Sequence, residues 1–310
     1  MSKTKIQWTD ESINPIRARW RGGYPTVAGH YCEKVSTGCA LCYASRMQQR
    51  FKMAEFPGLR GNLENVEPFF DDERLLQVLK RKKPTKYFWC DMTDMFGHWV
   101  PFEWIDKCFA VMALTPQHIH MVLTKRPERM AEYTQSLTPQ RIDDIVDRFL
   151  NESQIQPRDT YICRVQHDET YGVPIPNVWL GTSTENQKQA DSRIGHLLAC
   201  PSKIRFLSVE PQLEEISLIS AVYASCRLPD SEGFGFDWVI VGGESGNRAR
   251  PFDPAWAQSI ISQCKDAGVA CFVKQMGRRP VGLNLKDSHG GDWDEWPDDL
   301  KVRQFPEVTP

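Results

Sequence analysis

The sequence predicts an α/β fold: parallel strands alternating with helices, wound in the manner of a (βα) TIM-like barrel. Three observations carry that expectation. A short, continuously apolar run, an abrupt polar cluster and a helical stretch recur in that order along the chain. Uninterrupted apolar runs of this kind fit strands buried on both faces, as in a parallel sheet. The chain has 310 residues, enough for one barrel-sized domain or two smaller ones. No G-x-G-x-x-G follows the first strand, which counts against the open, dinucleotide-binding version of such a sheet.

Taken in order, the N-terminus MSKTKIQWTD has no apolar signal core, and no later run approaches the length of a membrane span. Tyr43 to Lys52 reads as a helix and Phe56 to Pro68, punctuated by Gly and Pro, as a loop. Asp71 or Asp72 is placed to cap a helix through Leu75, Leu76 and Leu79. The strand grammar then begins. Tyr87–Cys90 leads to Asp91, Thr93 and Asp94, and Ile119–Leu123 to Thr124, Lys125 and Arg126. Val178–Leu180 leads to Thr182, Ser183, Glu185 and Asn186, and Ile204–Leu207 to Ser208 and Glu210. Trp238–Val241 leads to Gly242, Gly243, Glu244 and Ser245, and Ala270–Val273 to Lys274 and Gln275.

Between these runs, Phe102–Leu114 places Trp104, Ile105, Cys108, Phe109 and Met112 on one helical face, a core-packing pattern. Pro254–Ala267 starts on Asp253 as N-cap and stops at Gly268. Residues 131–176 interrupt the rhythm with an amphipathic helix (Thr138 cap, Ile142, Ile145, Val146, Phe149) and a Tyr- and Pro-rich piece. This reads as an insertion over the barrel mouth or rim. The acidic, aromatic tail over 278–310 reads as a C-terminal extension that wraps back onto the body of one domain spanning 1–310.

A net charge of −2 excludes a generally basic nucleic-acid coat, so contact with nucleic acid needs local patches. One candidate is Arg17, Arg19 and Arg21, interleaved with Trp20. The run Lys80–Lys83 with Lys86 is better explained as the solvated end of a helix. Ten cysteines without a secretion signal read as reduced thiols in a cytoplasmic setting. Cys90, Cys108, Cys163, Cys200, Cys226, Cys264 and Cys271 lie mostly in apolar runs and read as packing residues.

The other three cysteines are organised differently. In HYCEKVSTGCALCYA, Cys32, Cys39 and Cys42 form a C-x6-C-x2-C pattern on a Gly-containing loop. Thiolates select zinc, copper(I) or iron–sulfur clusters. A structural zinc site closes with four ligands, and His30 could supply the fourth. A cubane held by three thiolates keeps one iron open, whereas electron-transfer clusters use four. Spacing alone leaves both readings standing. Glu210 in SVEP and Glu244 in GGES each follow a wholly apolar strand, where a carboxylate is costly unless paired or functional. The structural alternative for each is an ion pair with Lys125, Arg126, Arg205 or Lys274. Gly242-Gly243 fits close approach of the backbone to a ligand.

Several segments together carry a family resemblance. They are IQWTDESINP, the cysteine pattern running into CYASRM, DMTDMF, LTKRPERM, NVWLGTSTENQ, DSRI, IRFLSVEPQL, WVIVGGESG with RARP, and FVKQMG. Through them the chain resembles a phage-associated three-cysteine-motif family that is similar to the radical S-adenosylmethionine superfamily. The resemblance implies a partial βα barrel in which Cys32, Cys39 and Cys42 hold a 4Fe-4S cluster. S-adenosyl-L-methionine would chelate the open iron, and an electron from a flavodoxin or ferredoxin would release a 5′-deoxyadenosyl radical. Asp91, Thr93 and Asp94 would meet the methionine amino group, and Ser183, Glu185 and Asn186 its carboxylate or the ribose. Glu210, Glu244 and Lys274 would hold the substrate or move protons.

The phage association implies an isomerase that rearranges an amino-acid-modified thymidine in DNA, a hypermodification that evades host restriction. The setting would then be the host cytoplasm, with no membrane partner. Two departures stand out. The superfamily's commonest spacing is C-x3-C-x2-C with an aromatic before the last Cys, a place held here by Leu41. Its Gly-Gly-Glu follows the second strand, whereas Gly242–Glu244 comes much later, so that role is not transferred. Two alternatives are a zinc-stabilised nucleic-acid-binding protein without catalysis and a metal-independent hydrolase built on Glu210 and Glu244.

Overall fold

The computed structural model describes residues 2–4, 6–21, 28–50, 66–153, 172–225 and 233–307. The chain forms two compact units. The first comprises Met1–Lys34, Ala44–Trp179 and Pro201–Lys203; the second comprises Val35–Tyr43, Leu180–Cys200 and Ile204–Pro310.

The first unit opens with β1 (Ser2–Lys3), β2 (Glu11–Ile13) and β3 (Ile16–Trp20). Helix α1 (Tyr43–Arg50), β4 (Val66–Phe70) and α2 (Asp72–Leu79) follow, then β5 (Lys86–Trp89), α3 (Phe102–Leu114) and β6 (Ile119–Thr124). Helices α4 (Pro127–Gln135) and α5 (Pro139–Ser153) complete it. β2, β5 and β6 pair in parallel, and β1 lies antiparallel on the outer side of β2. Separately, β3 and β4 form an antiparallel ribbon. Residues 66–70 therefore correct the loop expected over Phe56 to Pro68, whose part up to residue 65 lies outside the described residues. β2 was also missed: three residues are too few for an alternation pattern.

Helix α3 has the expected bounds and buries Ile105, Cys108, Phe109 and Met112, with Trp104 half-buried against Phe70. Within the expected insertion, α5 buries Ile142, Ile145, Val146 and Phe149 and packs on α3. Thr138 Oγ1 accepts from Arg141 N at its start. Residues 154–171 of that segment lie outside the described part. Asp71 does take the N-cap position of α2, yet its carboxylate accepts from Arg17 and Arg74 rather than from a helix N–H.

The second unit takes most of β7 (Val178–Ser183), then α6 (Gln187–Leu198), β8 (Ile204–Val209), α7 (Leu218–Ala224), β9 (Trp238–Gly242), α8 (Pro254–Asp266) and β10 (Ala270–Gln275). β9 is buried along its whole length, as a central parallel strand requires. Asp253 caps α8 through Ala255 N, and Gly268, at φ 66, ends it. The tail folds back as expected. Val302 O accepts from Val273 N, Cys271 O accepts from Gln304 N, and Phe305 packs on Trp238 and Phe272. It covers the edge of β10, an edge otherwise open to pairing with another chain.

The strand order β2-β5-β6-β7-β8-β9-β10 follows the sequence without reversal, giving a seven-strand parallel sheet flanked by helices. That is the winding of a partial βα barrel; a doubly wound sheet reverses at a switch point. Among the described residues no helix is long and apolar enough to cross a membrane. Cys90, Cys108, Cys200, Cys264 and Cys271 are buried and outside any disulfide, and Cys163 and Cys226 lie outside the described residues.

His120 on β6 shows how a polar group is accommodated in the core. Trp89 Nε1 donates to its Nδ1 (3.0 Å), which fixes the proton on Nε2, facing Thr115 Oγ1 at 3.0 Å. Burial, assisted by His118, pushes its pKa down to about 3. The unfolded chain therefore takes up this proton near pH 6.5 and the folded chain does not. Stability falls as pH drops from about 6.5 toward 3, by roughly 1.4 kcal/mol per unit from this group. Urea midpoints at about pH 7 and pH 5 should fall further for the wild type than for His120→Gln. An equal fall in both proteins contradicts this account.

Candidate functional site

At the carboxyl end of β5, Cys90 adopts φ 59, a left-handed conformation unfavourable for a residue with a Cβ. The turn that follows presents Asp91, Thr93 and Asp94. Asp94 is buried with both oxygens occupied: it accepts from Phe96 N (3.0 Å), Thr124 Oγ1 (2.7 Å), Lys125 N (3.1 Å) and Arg126 Nη1 (2.9 Å). Arg126, also buried, reaches Glu33 at 3.3 Å and lies 4.9 Å from the Trp99 ring centroid. Burial works against its charge, but Asp94, Cys32 and Glu33 outweigh that effect and raise its pKa.

Thr93 Oγ1 donates to the carbonyl of Tyr31, and Asn14, just past β2, holds Asp91 Oδ1 and Met92 N. Within the first unit, residues 31–33, which include half-buried Cys32, are thus fastened to the ends of β5 and β6. His30 is buried with Nδ1 on the carbonyl of Ile16 (3.1 Å) and its backbone N–H on Gln48 (2.7 Å).

In the second unit, the residues after β7 fasten the other part of the cysteine stretch. Glu185 is fully buried. Its Oε2 accepts from Arg193 Nη1 and its Oε1 from the backbone N–H of Gly38, both at 3.0 Å. Arg193 Nη1 also donates to the carbonyl of Ser183 (2.8 Å). Asn186 caps α6 through Gln189 N and gives its amide to Thr37 Oγ1 (3.2 Å). From the loop after β9, Arg250 forms a fork with Glu244 (2.7 and 3.0 Å) and donates to the carbonyl of Thr37 (2.9 Å).

Thr37 and Gly38 therefore take three hydrogen bonds immediately before Cys39, in the 3-10 turn Thr37–Cys39. Gly38 is required there: a Cβ would stand 2.9 Å from Glu185 Cδ. Cys42 N continues the turn onto Cys39 O (3.4 Å), at the head of α1.

Glu210 pairs with Lys274 at 3.1 Å, one of the ion pairs the sequence offered. Glu244 pairs with Arg250, which the sequence reading did not single out although it lies within RARP. The Gly242-Gly243 pair makes room for the chain itself: added Cβ atoms would meet Glu210 Oε1 at 2.9 Å and Met276 O at 2.4 Å. Arg17 and Arg19 pair with Asp71 and Glu67. The side chain of Trp20 and residues 22–27 lie outside the described part.

The donor chemistry fits a thiolate-held cluster, since Cys32, Cys39 and Cys42 are thiols outside any disulfide and two of them are half-buried. Among the described residues, no three His, Cys, Asp or Glu side chains are gathered closely enough to hold a metal ion. Two buried polar atoms just past β7 and β8, Thr184 Oγ1 and Gln212 Oε1, have no hydrogen-bond partner among the described residues. Orphaned acceptors and donors of this kind are costly unless a ligand or water satisfies them.

The chain belongs to the family described as "Protein of unknown function (DUF5131)", whose sequence profile matches residues 3–297. No curated protein and no solved structure matches the chain.

Two predictions test the fastening of the loop. Glu185→Gln strands the buried Arg193 charge and should cost roughly 3–5 kcal/mol in chemical denaturation; a loss below about 1 kcal/mol contradicts the buried pair. Gly38→Ala should raise proteolytic cleavage between residues 33 and 43, read by mass spectrometry, because its methyl group displaces Glu185. Unchanged cleavage would show that the loop does not depend on this contact.

Proposed function

For this member of the family, we propose a radical S-adenosylmethionine enzyme in which Cys32, Cys39 and Cys42 hold a 4Fe-4S cluster. The observation that carries the reading is where the cysteine stretch is fastened. Tyr31–Glu33 bind at the ends of β5 and β6, and Thr37–Gly38 at the ends of β7 and β9. Carboxyl ends of strands are where βα barrels do their chemistry. Cys32, Cys39 and Cys42 would hold the cluster, and when bound it would supply the electron for reductive cleavage of the S-adenosylmethionine sulfonium to methionine and a 5′-deoxyadenosyl radical, the species that would abstract hydrogen from a substrate.

The chain's own residues position and exclude. Glu185, Asn186 and Arg250 fix the turn before Cys39, while Thr93 and the Asp94–Arg126–Glu33 chain fix Cys32. Asp91, which follows β5, would meet the methionine amino group, and Ser183, at the end of β7, its carboxylate or the ribose. The Glu210–Lys274 pair offers a carboxylate and an ammonium 3.1 Å apart. That arrangement complements the opposite charges of an amino-acid substituent.

An unactivated C–H bond on such a substituent needs a radical, which fits isomerisation of an amino-acid-decorated thymidine in phage DNA. The modification would protect that DNA from host restriction. A flavodoxin or ferredoxin would donate the electron. The competing reading, a zinc-stabilised nucleic-acid-binding protein, gives the thiols a purely structural role with His30 as fourth ligand.

Anaerobically reconstituted protein with S-adenosylmethionine and dithionite should release 5′-deoxyadenosine, and each of Cys32→Ala, Cys39→Ala and Cys42→Ala should abolish the release. Iron-loaded wild type that releases none overturns the reading. With DNA carrying amino-acid-decorated thymidine, nuclease digests should contain a new nucleoside of unchanged mass; unaltered nucleosides overturn the substrate assignment.

A further inference from the structure

The second unit contains a groove of about 570 Å³ that no catalytic assignment above uses. Its walls come from Pro251 and from the start of the C-terminal extension, Gly277–Ser288. Arg278, Arg279 and Lys286 line it and are exposed, in a chain whose net charge is −2. Its lining includes one carboxylate, Asp287, which is turned to its own loop: it accepts from the N–H groups of His289, Gly291 and Asp292. The Arg279 and Lys286 side chains make no ion pair among the described residues, and the Glu295 carboxylate accepts from the backbone N–H groups of Lys286 and Asp287 (2.9 and 3.1 Å). Three exposed cations thus stand together along one groove.

The groove is anchored to the site. Arg278 N donates to the carbonyl of Glu244 (2.9 Å). Phe252 N donates to Arg279 O (3.0 Å), and Val281 N to Phe252 O (2.8 Å). Gly277, at φ 76, packs so closely on the Gly243–Glu244 backbone that a Cβ would stand 2.7 Å away. Arg278 and Arg279 therefore project from a backbone tied to the residues that follow β9 and β10 rather than from a loose tail. Asn284 and Ser288 add neutral hydrogen-bonding groups, and no aromatic ring lines the groove. The chemistry favours repeated phosphates over bases, which would need stacking surfaces.

We propose that this groove binds the phosphodiester backbone of nucleic acid, without sequence preference. The assignment rests on charge and shape at the groove and involves none of the three thiols, so it stands apart from the radical reading.

The test uses the full chain as purified, with no reductant or cofactor, and a fluorescent 12-nucleotide single-stranded DNA. Anisotropy titrations between about 50 and 200 mM salt should show binding that weakens with salt. Arg279→Gln with Lys286→Gln should lower the slope of log K against log salt by about 1.4, near 0.7 per lost phosphate contact on a single strand. Both side chains are exposed, and an unchanged melting temperature will show that the double variant is folded. Absence of binding at 50 mM salt, or an unchanged slope in the folded double variant, overturns the proposal. So does substitution-sensitive binding to phosphatidylglycerol vesicles when the oligonucleotide is not bound.

Discussion

A carboxylate removed entirely from water fixes the geometry of the cysteine stretch. Glu185 has no exposed surface and divides its two oxygens between the Arg193 guanidinium and the N–H of Gly38. Burying such a charge is expensive, and only a close counter-ion together with full hydrogen bonding makes it tolerable. The second of these conditions is met by the cysteine stretch itself. Glu185 without Gly38 would lack a donor, and Gly38 without Glu185 would lose the acceptor that sets its turn. The Thr37 contacts from Asn186 and Arg250 reinforce the same register. Two residues that looked like cofactor contacts, Glu185 and Asn186, are thereby engaged in holding the segment that carries Cys39 and Cys42.

The first unit solves a related problem differently. Asp94 and Arg126 are both nearly buried, and the pair is built entirely from the turn after β5 and the turn after β6. Glu33 is the more exposed outer partner, so the chain of charges leads from the core toward the residue beside Cys32. Backbone strain accumulates at the same place, with Cys90 at positive φ where β5 gives way to Asp91. Strained residues persist where their surroundings over-determine them. Here Cys90 N is held by Ile13 O (2.8 Å), and Cys90 O holds Thr93 N (3.1 Å).

Much of this was legible in the residues, for physical reasons that also explain the omissions. Runs such as WVIV and VWL are apolar on both faces because they are buried on both faces, so strands β5 to β10 could be read directly. Helices α3 and α8 announced themselves by periodicity and by Asp253, Pro254 and Gly268. β2 is three residues long, and β4 contains Pro68, so neither shows a period. Strand ends could be recognised as sites of polar concentration, but partner choice could not. Gly38 and Glu185 are 147 residues apart, and no local pattern links them. Arg193 and Arg250 lay inside recognised segments, DSRI and RARP, without any sign that each serves a particular carboxylate. The Gly242-Gly243 pair invited a ligand reading because close backbone approach looks the same in sequence whether the approaching atoms belong to a ligand or to Met276.

The radical reading proposed for this chain would put a polar substrate at the strand ends, where the fastened loop and the orphaned Thr184 and Gln212 atoms lie. The centre of that account is the use to which the three thiols are put. Metal and sulfide analysis of protein purified without oxygen addresses it most directly. The account predicts about four iron and four sulfide per chain, lost on replacing Cys32, Cys39 and Cys42 with Ala, and no stoichiometric zinc. One tightly held zinc per chain in a colourless protein would contradict it.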